Sequence, residues 1–491
     1  MRRAAFKIAL MGAASLTLAF SATQASAEVT AQDKDMLVAS VAKAAPRMAQ
    51  VAHQIWGYAE VGYQETRSSS LLQGELKKAG FAVEAGVAGM PTAFVASFKN
   101  GPGPVIAILA EYDALPGLAQ AAVPEPSPIP GQIAGHACGH HLFGAASVAA
   151  AQSLAAWMKA NNVGGEIRVY GTPAEEGGSG KVYMVRGGLF SDVDATLHWH
   201  PSDGNGAAQT VSLANISGKF RFAGASSHAA AAPARGRSAL DGVEIMNVAV
   251  NYLREHVPDG TRIHYVVTDG GAAPNVVPDK AEVYYYVRHA DPQIVRDVFA
   301  RMQKAAQGAA MATETEVSFE QTGGVYNMLV NDTLGRVMDQ ALREVGGPVW
   351  NAQETAFAES MRAHLPPGRS LASASEIRPY SVGGGGGGST DVADVSWVTP
   401  TAGMGSATWV PGTSAHSWQA VAAGGMSIGH KGAEVAAKTL ALAGARLLRE
   451  PALIDTAKAE LLERRGADFT YTAMVGDRAP PLDYRKSPKG D

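Results

Sequence analysis

The stretch Pro104-Val105-Ile106-Ala107-Ile108-Leu109-Ala110 is a continuous apolar run without alternation. Such a run is typical of a strand that is covered on both faces, as in a parallel sheet between helices. Glu111 and Asp113 follow at the carboxyl end of this predicted strand. Because open α/β sheets bind their ligands at that edge, these acids are candidates for a functional site.

The segments around this strand alternate between helix and strand patterns. Residues 30–59 and 68–79 predict helices before it, and residues 141–160 predict one after it. Residues 166–171 and 194–201 predict two more strands, and residues 431–448 predict a late amphipathic helix. We therefore expect an α/β fold with a mixed, largely parallel sheet and flanking helices.

A different pattern occupies residues 207–321. It predicts strands at 210–222, 261–268, 281–289 and 314–320 and helices at 238–256 and 292–311. This βαββαβ order predicts an inserted α+β, ferredoxin-like domain. The predicted boundaries are 1–27 for a signal peptide, 28–206 and 326–491 for the two parts of the main domain, and 207–325 for the insert.

The bulk composition is that of an ordinary globular protein. The 491 residues carry a net charge of -4, with 46% hydrophobic and 18% charged residues. These values exclude a basic nucleic-acid binder and an acidic disordered tail, so we expect no nucleic-acid partner.

The first 27 residues resemble a secretory signal peptide. A basic start at residues 1–7 precedes an apolar segment at 8–20 and the cleavage signature Ala25-Ser26-Ala27. We expect a mature chain from Glu28 that is exported, either periplasmic or secreted. The apolar segment is too short to cross a bilayer comfortably, so no stable membrane insertion is expected.

The stretch Gly135-His136-Ala137-Cys138-Gly139-His140-His141 holds the only cysteine and three of the 13 histidines. Thiolate and imidazole are ligands of zinc and similar ions, and a Cys-x-His turn can aim two donors at one ion. In an exported chain, Cys138 forms no internal disulfide and must be free, intermolecular or metal-bound. A free buried cysteine beside incidental histidines is the alternative.

Further donors lie near other predicted strand ends. Glu175 and Glu176 are adjacent on a loop, so one could bind a metal while the other acts as acid and base in amide hydrolysis. A solvated acidic turn is the alternative. His198 or His200 could bind a metal from the end of the strand at 194–201, and His416 lies in a loop of small residues.

Six consecutive glycines, residues 383–388, precede Ser389-Thr390-Asp391. A flexible spacer and a loop near the substrate are both open as interpretations. The run lacks the lysine and the spacing of a phosphate-binding P-loop, so we do not expect nucleotide binding.

In order and spacing, these pieces resemble the M20 metallopeptidases, in the D branch that holds amidohydrolases and aminoacylases. The resemblance is closest to proteins of the type found as the B subunit of aminobenzoyl-glutamate hydrolase. The motifs that carry it span nearly the whole mature chain. They are Glu111-Tyr112-Asp113-Ala114-Leu115-Pro116-Gly117, His136-Ala137-Cys138-Gly139-His140, Pro173-Ala174-Glu175-Glu176-Gly177-Gly178, Trp199-His200-Pro201 and Ser389-Thr390-Asp391-Val392-Ala393-Asp394-Val395-Ser396-Trp397.

The resemblance implies a phosphorylase/hydrolase-like catalytic domain with a site for two divalent metal ions, zinc or manganese. Glu175 would be the general base, and Asp113 would support a metal ligand without binding the metal itself. Glu111 stands where some branches place a metal ligand. The implied metal ligands are Cys138, His140, Glu176, His200 and His416.

The resemblance also separates the neighbouring histidines. His200 is preferred to His198 because it precedes the proline at the ligand position. His141 departs from the family pattern, since relatives carry Asp or Asn there. It could be an extra donor, a supporting partner or a helix cap.

The insert carries the family's lid signals, Ser226-Ser227-His228-Ala229-Ala230, Ala273-Pro274-Asn275-Val276-Val277-Pro278 and Val287-Arg288. The resemblance implies that His228, Asn275 and Arg288 contact the substrate, the histidine often across a dimer interface. It also implies a homodimer through the lid, and leaves room for a partner subunit. A turn role for Asn275 and a surface ion pair for Arg288 are the alternatives.

We therefore predict an exported metallo-amidohydrolase for a small N-acyl amino acid or an aminobenzoyl-glutamate-like or dipeptide-like substrate with a free carboxylate. The alternatives are a dipeptidase or aminopeptidase, a non-catalytic periplasmic binder of metal or solute, and an oligomerisation module. The donor residues favour the enzyme, because a binder or a module does not need a general base beside a metal site.

Overall fold

The computed structural model describes residues 28–486, and the predicted signal peptide lies outside them. The helices are α1 (Ala31–Tyr58), α2 (Thr66–Lys78), α3 (His140–Ala160), α4 (Gly180–Arg186), α5 (Ala239–Leu253), α6 (Pro292–Thr313), α7 (Asp332–Val345), α8 (Ala352–Arg362), α9 (Val392–Ser396), α10 (Trp418–Gly424), α11 (Ser427–Arg449) and α12 (Pro451–Arg465). The strands are β1 (Ala82–Ala85), β2 (Phe94–Lys99), β3 (Val105–Ala110), β4 (Leu115–Pro116), β5 (Ala134–Gly135), β6 (Glu166–Gly171), β7 (Ala195–Ser202), β8 (Gln209–Val211), β9 (Ala214–Ala223), β10 (Arg262–Asp269), β11 (Lys280–His289), β12 (Glu316–Val325), β13 (Val382–Gly385) and β14 (Thr401–Ala407).

Capping residues mark the start of two of the long helices, α1 and α6. In α1, Thr30 Oγ1 accepts from the backbone N–H of Asp33, and the Asp33 carboxylate accepts from the N–H of Thr30. This reciprocal pair satisfies two N–H groups that the helix itself cannot. In α6, Asp291 caps the helix and Pro292 occupies its first turn, where a missing N–H costs nothing.

The main sheet has six strands in the order β1-β2-β6-β3-β7-β14. Strands β6, β3, β7 and β14 are parallel, and β2 is antiparallel to β6. Every β3 side chain from Ile106 to Ala110 is fully buried, as the unbroken apolar run predicts for a strand covered on both faces. The predicted α/β class with a largely parallel sheet is confirmed.

Between β7 and β14 the chain builds a second sheet, which is antiparallel and has the order β12-β9-β11-β10. Helices α5 and α6 pack on it, and Phe220, Phe222 and Tyr285 belong to a hydrophobic core separate from that of the main sheet. Counted along the insert, the strand order is 4-1-3-2 with a helix after the first and third strands, which is ferredoxin-like. The boundaries at 206 and 325 remain predictions.

One predicted strand, residues 210–222, consists of two elements. Strand β8 pairs in parallel with β13, whereas β9 begins at Ala214 and belongs to the insert sheet. The chain changes sheet at Ser212 and Leu213, where the Leu213 N–H donates to the carbonyl of Gly388 at 2.9 Å. Half of the glycine run therefore pairs as a strand, which favours a loop near the site over a spacer.

After α12, residues 466–486 run back over the molecule without forming a further helix or strand. We call residues 471–486 the C-terminal strap. Arg186 of α4 donates to the carbonyls of Gly476 and Arg478, and Gln64 donates to the carbonyl of Leu482. No helix within residues 28–486 has the length and apolar character that a bilayer span requires.

Candidate metal centre

The predicted site residues meet at the carboxyl edge of the parallel strands. Glu111 and Asp113 follow β3, Glu175 and Glu176 follow β6, and His200 lies near the end of β7. These strands are neighbours in the sheet or next neighbours, so side chains at their ends converge. The turn before α3 and the loop after β14 add the remaining donors.

Cys138, His140 and His200 form the first donor group, with their ligand atoms all within 4.8 Å of one another. Cys138 Sγ lies 3.4 Å from His200 Nε2, while His200 Nδ1–H donates to the Pro201 carbonyl at 2.7 Å. Since a carbonyl only accepts, the proton sits on Nδ1 and the Nε2 lone pair faces the thiol.

The geometry of the turn explains why a glycine, Gly139, separates Cys138 from His140. Gly139 has a φ of +76°, and a Cβ at this position would lie 2.6 Å from Pro201 Cβ. Only glycine fits both the left-handed backbone and the contact. The tight turn places Cys138 and His140 on the same centre, as the Cys-x-His spacing suggests.

Cys138 is shared with a second donor group that contains Glu176 and His416. His416 Nε2 lies 3.2 Å from Glu176 Oε1, and its backbone N–H donates to the Ala137 carbonyl at 2.9 Å. The loop thus ties His416 to the Cys138 turn through the backbone. The His416 side chain is 54% exposed, so this group lies on the solvent side of the centre.

The third group contains Glu111, His140 and Glu175. His140 Nε2 lies 3.0 Å from Glu111 Oε2, and His140 Nδ1–H donates to Asp113 Oδ1 at 2.8 Å. The other oxygen of Asp113 accepts from the Glu176 N–H at 2.9 Å. Asp113 therefore holds one predicted ligand by its ring and another by its backbone.

Three buried atoms of the centre, Glu111 Oε2, His140 Nε2 and Glu176 Oε1, form no hydrogen bond of regular geometry among the described residues, although the first two lie 3.0 Å apart and the third lies 3.2 Å from His416 Nε2. Buried polar atoms without partners are rare in folded proteins. Here they belong to side chains of adjoining donor groups and occur beside a thiol. This combination of thiol, imidazole and carboxylate donors fits divalent metal ions.

The protonation of the donors points the same way. Burial opposes charge on His140, yet the carboxylates of Glu111 and Asp113 help to raise its pKa well above the ordinary value. Burial raises the pKa of the Cys138 thiol, and Glu176 and Glu175 add to the shift. The buried carboxylates thus favour cations at this centre. A metal that binds there would have to displace protons from His140 and Cys138.

Glu175 is a member of the third donor group. Burial raises the pKa of its carboxyl group well above the usual value, and the neighbouring acids Glu111, Glu176 and Asp391 raise it further. A carboxyl group with a raised pKa can hold a proton near neutral pH and pass it on, which suits a general acid and base.

Lys181 is a site residue that the sequence analysis missed. Its side chain is 0% exposed, and Nζ lies 2.7 Å from Glu111 Oε1 and 2.6 Å from Asp391 Oδ1. Its backbone N–H also donates to Asp391 Oδ2 at 2.9 Å. The only sequence signal was a lysine directly before the apolar stretch Val182-Tyr183-Met184-Val185, because a charge buried with such a stretch must be paired.

A cavity of about 460 Å³ opens over Glu175 and Glu176, between the main domain and the insert sheet. Arg288 lines it and donates to Ser389 Oγ at 2.8 Å. The end of the glycine run, Gly388, lines it too. Arg288 and the glycine loop are thus part of the same cavity as the predicted base.

Two predicted substrate residues are not brought to this cavity within one chain. His228 and Asn275 are exposed in neighbouring loops of the insert, where the N–H of Ala229 donates to the Asn275 carbonyl at 3.0 Å. His228 Nδ1 accepts from the backbone of Ala230 and Ala231. Their substrate role stays a prediction that needs a second copy of the chain.

The other three histidines near the predicted ligands have structural partners. His141 Nε2 donates to the Gly424 carbonyl at 3.0 Å, and its ring packs 4.9 Å from that of His136. His136 Nε2 donates to the Ile55 carbonyl at 3.0 Å. His198 packs against Gly403 of β14. None of the three belongs to the donor groups of the described chain.

Residues 107–365 match the profile of peptidase family M20/M25/M40. The chain is 41% identical over 441 residues to the B subunit of p-aminobenzoyl-glutamate hydrolase from Escherichia coli, covering 84% of this chain and 92% of the relative. It is 32% identical to the Xaa-Arg dipeptidase of Mus musculus over 60% of this chain and 67% of the relative.

Solved structures share the fold. A crystal structure described as a putative aminohydrolase from Staphylococcus aureus aligns with a TM-score of 0.62 at 17% identity, covering 83% of this chain and 98% of the other. A dinuclear metal-binding peptidase of the M20 family from Bacillus subtilis aligns with a TM-score of 0.50 at 18% identity, covering 80% and 97%.

Proposed function

This chain belongs to peptidase family M20/M25/M40, and from that premise we propose that it hydrolyses the amide bond of a small N-acyl amino acid, or of an aminobenzoyl-glutamate-like or dipeptide-like substrate, with a free carboxylate. The observation that carries the proposal is the convergence of three overlapping donor groups, of which Glu175, Glu176 and His416 line a cavity that Arg288 also lines. A metal-dependent hydrolase needs all three parts: metal ligands, a base and an anchor for the substrate.

In this proposal Cys138, His140, Glu176, His200 and His416 hold two divalent cations, with Glu111 as an additional donor. When bound, the metals would supply Lewis acidity towards the scissile carbonyl and favour the ionisation of a water. The Glu175 carboxylate takes the proton of that water and delivers it to the leaving amine. The Arg288 guanidinium binds the substrate carboxylate, which fixes the amide relative to Glu175.

The identity of the metal is part of the proposal. The Cys138 thiolate favours zinc, whereas the carboxylates of Glu111 and Glu176 also suit manganese. Elemental analysis of the protein after purification without added metal distinguishes the two. Two equivalents of zinc or manganese per chain are expected, and a protein that binds neither would contradict the metal assignment.

A substrate panel tests the reaction. The purified, metal-analysed protein is incubated with aminobenzoyl-glutamate, N-acetyl amino acids and dipeptides, and amine release is measured. We expect turnover of N-acyl substrates. A strict preference for substrates with a free amino group would instead support a dipeptidase, the second candidate, which the likeness to the mouse Xaa-Arg dipeptidase favours. Metal binding without turnover would support a binding protein.

We propose that two chains associate through the insert. The exposed face of α5 and the edge strand β10 carry the large apolar residues Ile245, Val248, Tyr252, Tyr265, Val266 and Val267. Several large apolar side chains exposed on one helix and one edge strand favour an interface there. A different chain is the alternative occupant, since the Escherichia coli relative is itself named as one of the subunits of its hydrolase.

Sedimentation of the purified chain tests this association. Val248 is 54% exposed within the apolar surface, and Val349 is 77% exposed outside it. We expect a dimer that Val248→Arg dissociates and Val349→Arg does not. A wild-type chain that sediments as a monomer would contradict the homodimer.

We also propose export with cleavage after Ala27. The first described helix begins at Ala31 and is capped by Thr30, so cleavage there would leave every described element intact. N-terminal sequencing of protein from the periplasm or medium should begin at Glu28. A cell-associated chain that retains Met1 would contradict the proposal.

A further inference from the structure

The C-terminal strap ends beside the loop that carries Glu175 and Glu176. Tyr484 donates its hydroxyl to the Glu176 carbonyl at 2.9 Å, and Arg485 Nη2 donates to the same oxygen at 2.8 Å. Tyr484 also packs at the edge of the Tyr63 ring. A segment from the end of the chain thereby places a guanidinium beside a predicted metal ligand.

Arg485 lies between two cavities. One is the cavity of about 460 Å³ over Glu175, and the other, of about 760 Å³, extends between the insert sheet and the strap. Gly177, Tyr286 and Arg485 line both. A part of a bound substrate that extends from the cavity over Glu175 towards the strap would therefore lie beside the Arg485 guanidinium.

Most cationic side chains around these cavities are already paired with acids. Lys219 and Arg221 both pair with Glu282, at 3.0 and 2.6 Å. Arg478 lies 3.9 Å from Glu320. These three cations have their charges balanced within the protein, so they are poor candidates for binding an anionic ligand.

Arg288 and Arg485 differ from them. Neither has a carboxylate within 4.0 Å in the described part of the chain; Arg288 donates to the hydroxyl of Ser389 and Arg485 to the carbonyl of Glu176. Each guanidinium has five N–H donors, so both retain donors for a ligand. Two unbalanced guanidiniums on one cavity fit a ligand with two carboxylates.

Hydroxyl groups line the sheet between the two cavities. Ser217 Oγ lies 2.8 Å from Thr322 Oγ1, which donates to Tyr284 OH at 3.0 Å, and Tyr284 OH lies 3.0 Å from Tyr286 OH. The three bonds use three of the four hydroxyl protons, which leaves one proton, on Tyr284 or Tyr286, to donate to an anion. The row lies on the surface where the ligand would bridge from Arg288 towards Arg485.

We propose that Arg485 binds a second substrate carboxylate, so that the site selects N-acyl derivatives of acidic amino acids. Arg288 binds the α-carboxylate, and Arg485 binds the carboxylate of the amino-acid side chain. The assignment to the amino-acid half follows from Arg485 lining the same cavity as Arg288. This inference rests on the proposed amide hydrolysis and adds the substrate class to it.

The test compares 4-aminobenzoyl-glutamate with 4-aminobenzoyl-glutamine, which differ only in the side-chain carboxylate. A charge-assisted contact is expected to give the wild type a preference of about tenfold or more in kcat/KM for glutamate. Arg485→Gln should remove this preference through KM, leaving the glutamine derivative within about twofold. Arg336→Gln, the same exchange at an exposed residue away from both cavities, should change neither substrate.

Each result decides between the roles of Arg485. Equal losses on both substrates would show that Arg485 only holds the Glu176 loop, and would overturn the inference. A wild-type preference for glutamine would overturn it while leaving amide hydrolysis intact. A third outcome would also overturn it: a higher kcat/KM for N-succinyl-glutamine than for N-acetyl-glutamine, with no preference for the glutamate derivative over the glutamine derivative. The second carboxylate would then bind as part of the acyl half of the substrate. No turnover on any substrate by metal-loaded protein would overturn both proposals.

If Arg485→Gln does not fold, two other measurements test the inference. They are the wild-type preference for glutamate over glutamine and the same preference in Arg485→Lys, which keeps the charge and should retain part of it.

Discussion

The buried ammonium of Lys181 gives a prediction whose size follows from the structure. Nζ contacts both Glu111 and Asp391, so the two carboxylates face each other across one cation. Without it, two negative charges about 5 Å apart repel by roughly 3 kcal/mol at an effective dielectric constant near 20. Protonating one carboxylate instead costs roughly 4 kcal/mol at pH 7, about 1.4 kcal/mol for each unit above its usual pKa.

We therefore expect Lys181→Met, which preserves the shape of the side chain, to lower the free energy of unfolding of metal-free protein by about 3–4 kcal/mol. The assay is guanidinium chloride unfolding followed by circular dichroism in the presence of a chelator. Lys438→Met is the matched control, because its i,i+4 pair with Glu434 at 2.6 Å is partly exposed and contributes at most about 0.5 kcal/mol.

Divalent metal adds a second readout. Since a bound cation would compensate part of the lost charge, zinc or manganese should stabilise Lys181→Met more than the wild type. If Lys181→Met unfolds within about 1 kcal/mol of the wild type without metal, the charge balance of the centre does not depend on Lys181 and the reasoning is refuted.

Three further changes test the surroundings of the centre. Asp113→Asn puts an amide where His140 and the Glu176 N–H both donate, so calorimetric metal affinity should fall by about 10–100-fold; unchanged affinity would exclude a positioning role. Burial and Asp113 raise the pKa of Glu65 to about 8, so in metal-free protein its contribution to stability is lost as pH rises from the unfolded value towards 8. Glu65→Gln should remove up to about 1.4 kcal/mol of that decline per pH unit in urea unfolding, and parallel pH profiles would contradict this. Gly139→Ala combines a φ of +76° with a contact to Pro201 and should weaken metal binding, whereas Gly188→Ala, at a φ of +75° in open space, should cost only about 1 kcal/mol of stability; equal metal affinity in the two would refute the contact argument.

Local pattern was enough to predict the scaffold. Successive side chains of a strand point to opposite faces, so the unbroken apolar run at 104–110 predicts a strand covered on both faces. Strand β3 confirms this prediction. The βαββαβ order of the insert is confirmed for the same reason, since each element buries its own apolar face. The break at Ser212 and Leu213 was missed because both sides are extended, and only pairing partners distinguish two strands from one.

The site shows the same limit. Its main donors lie in short motifs at strand ends, which a sequence can reveal. The role of Lys181 depends on Asp391, 210 residues away, and that of Arg485 on the fold returning the chain end to the Glu176 loop. His141 could be interpreted only once Gly424 was placed beside it. Such long-range pairings leave no local pattern in a single sequence.

The central claim is that Glu175 moves the proton in a metal-dependent amide hydrolysis. The most direct measurement compares metal content and hydrolysis of the best N-acyl substrate in the wild type and Glu175→Gln. The account predicts equal metal content, with turnover lower by about 10²–10⁴-fold in the variant, because the amide cannot accept a proton. Near-normal turnover by Glu175→Gln with its metal intact would contradict the account.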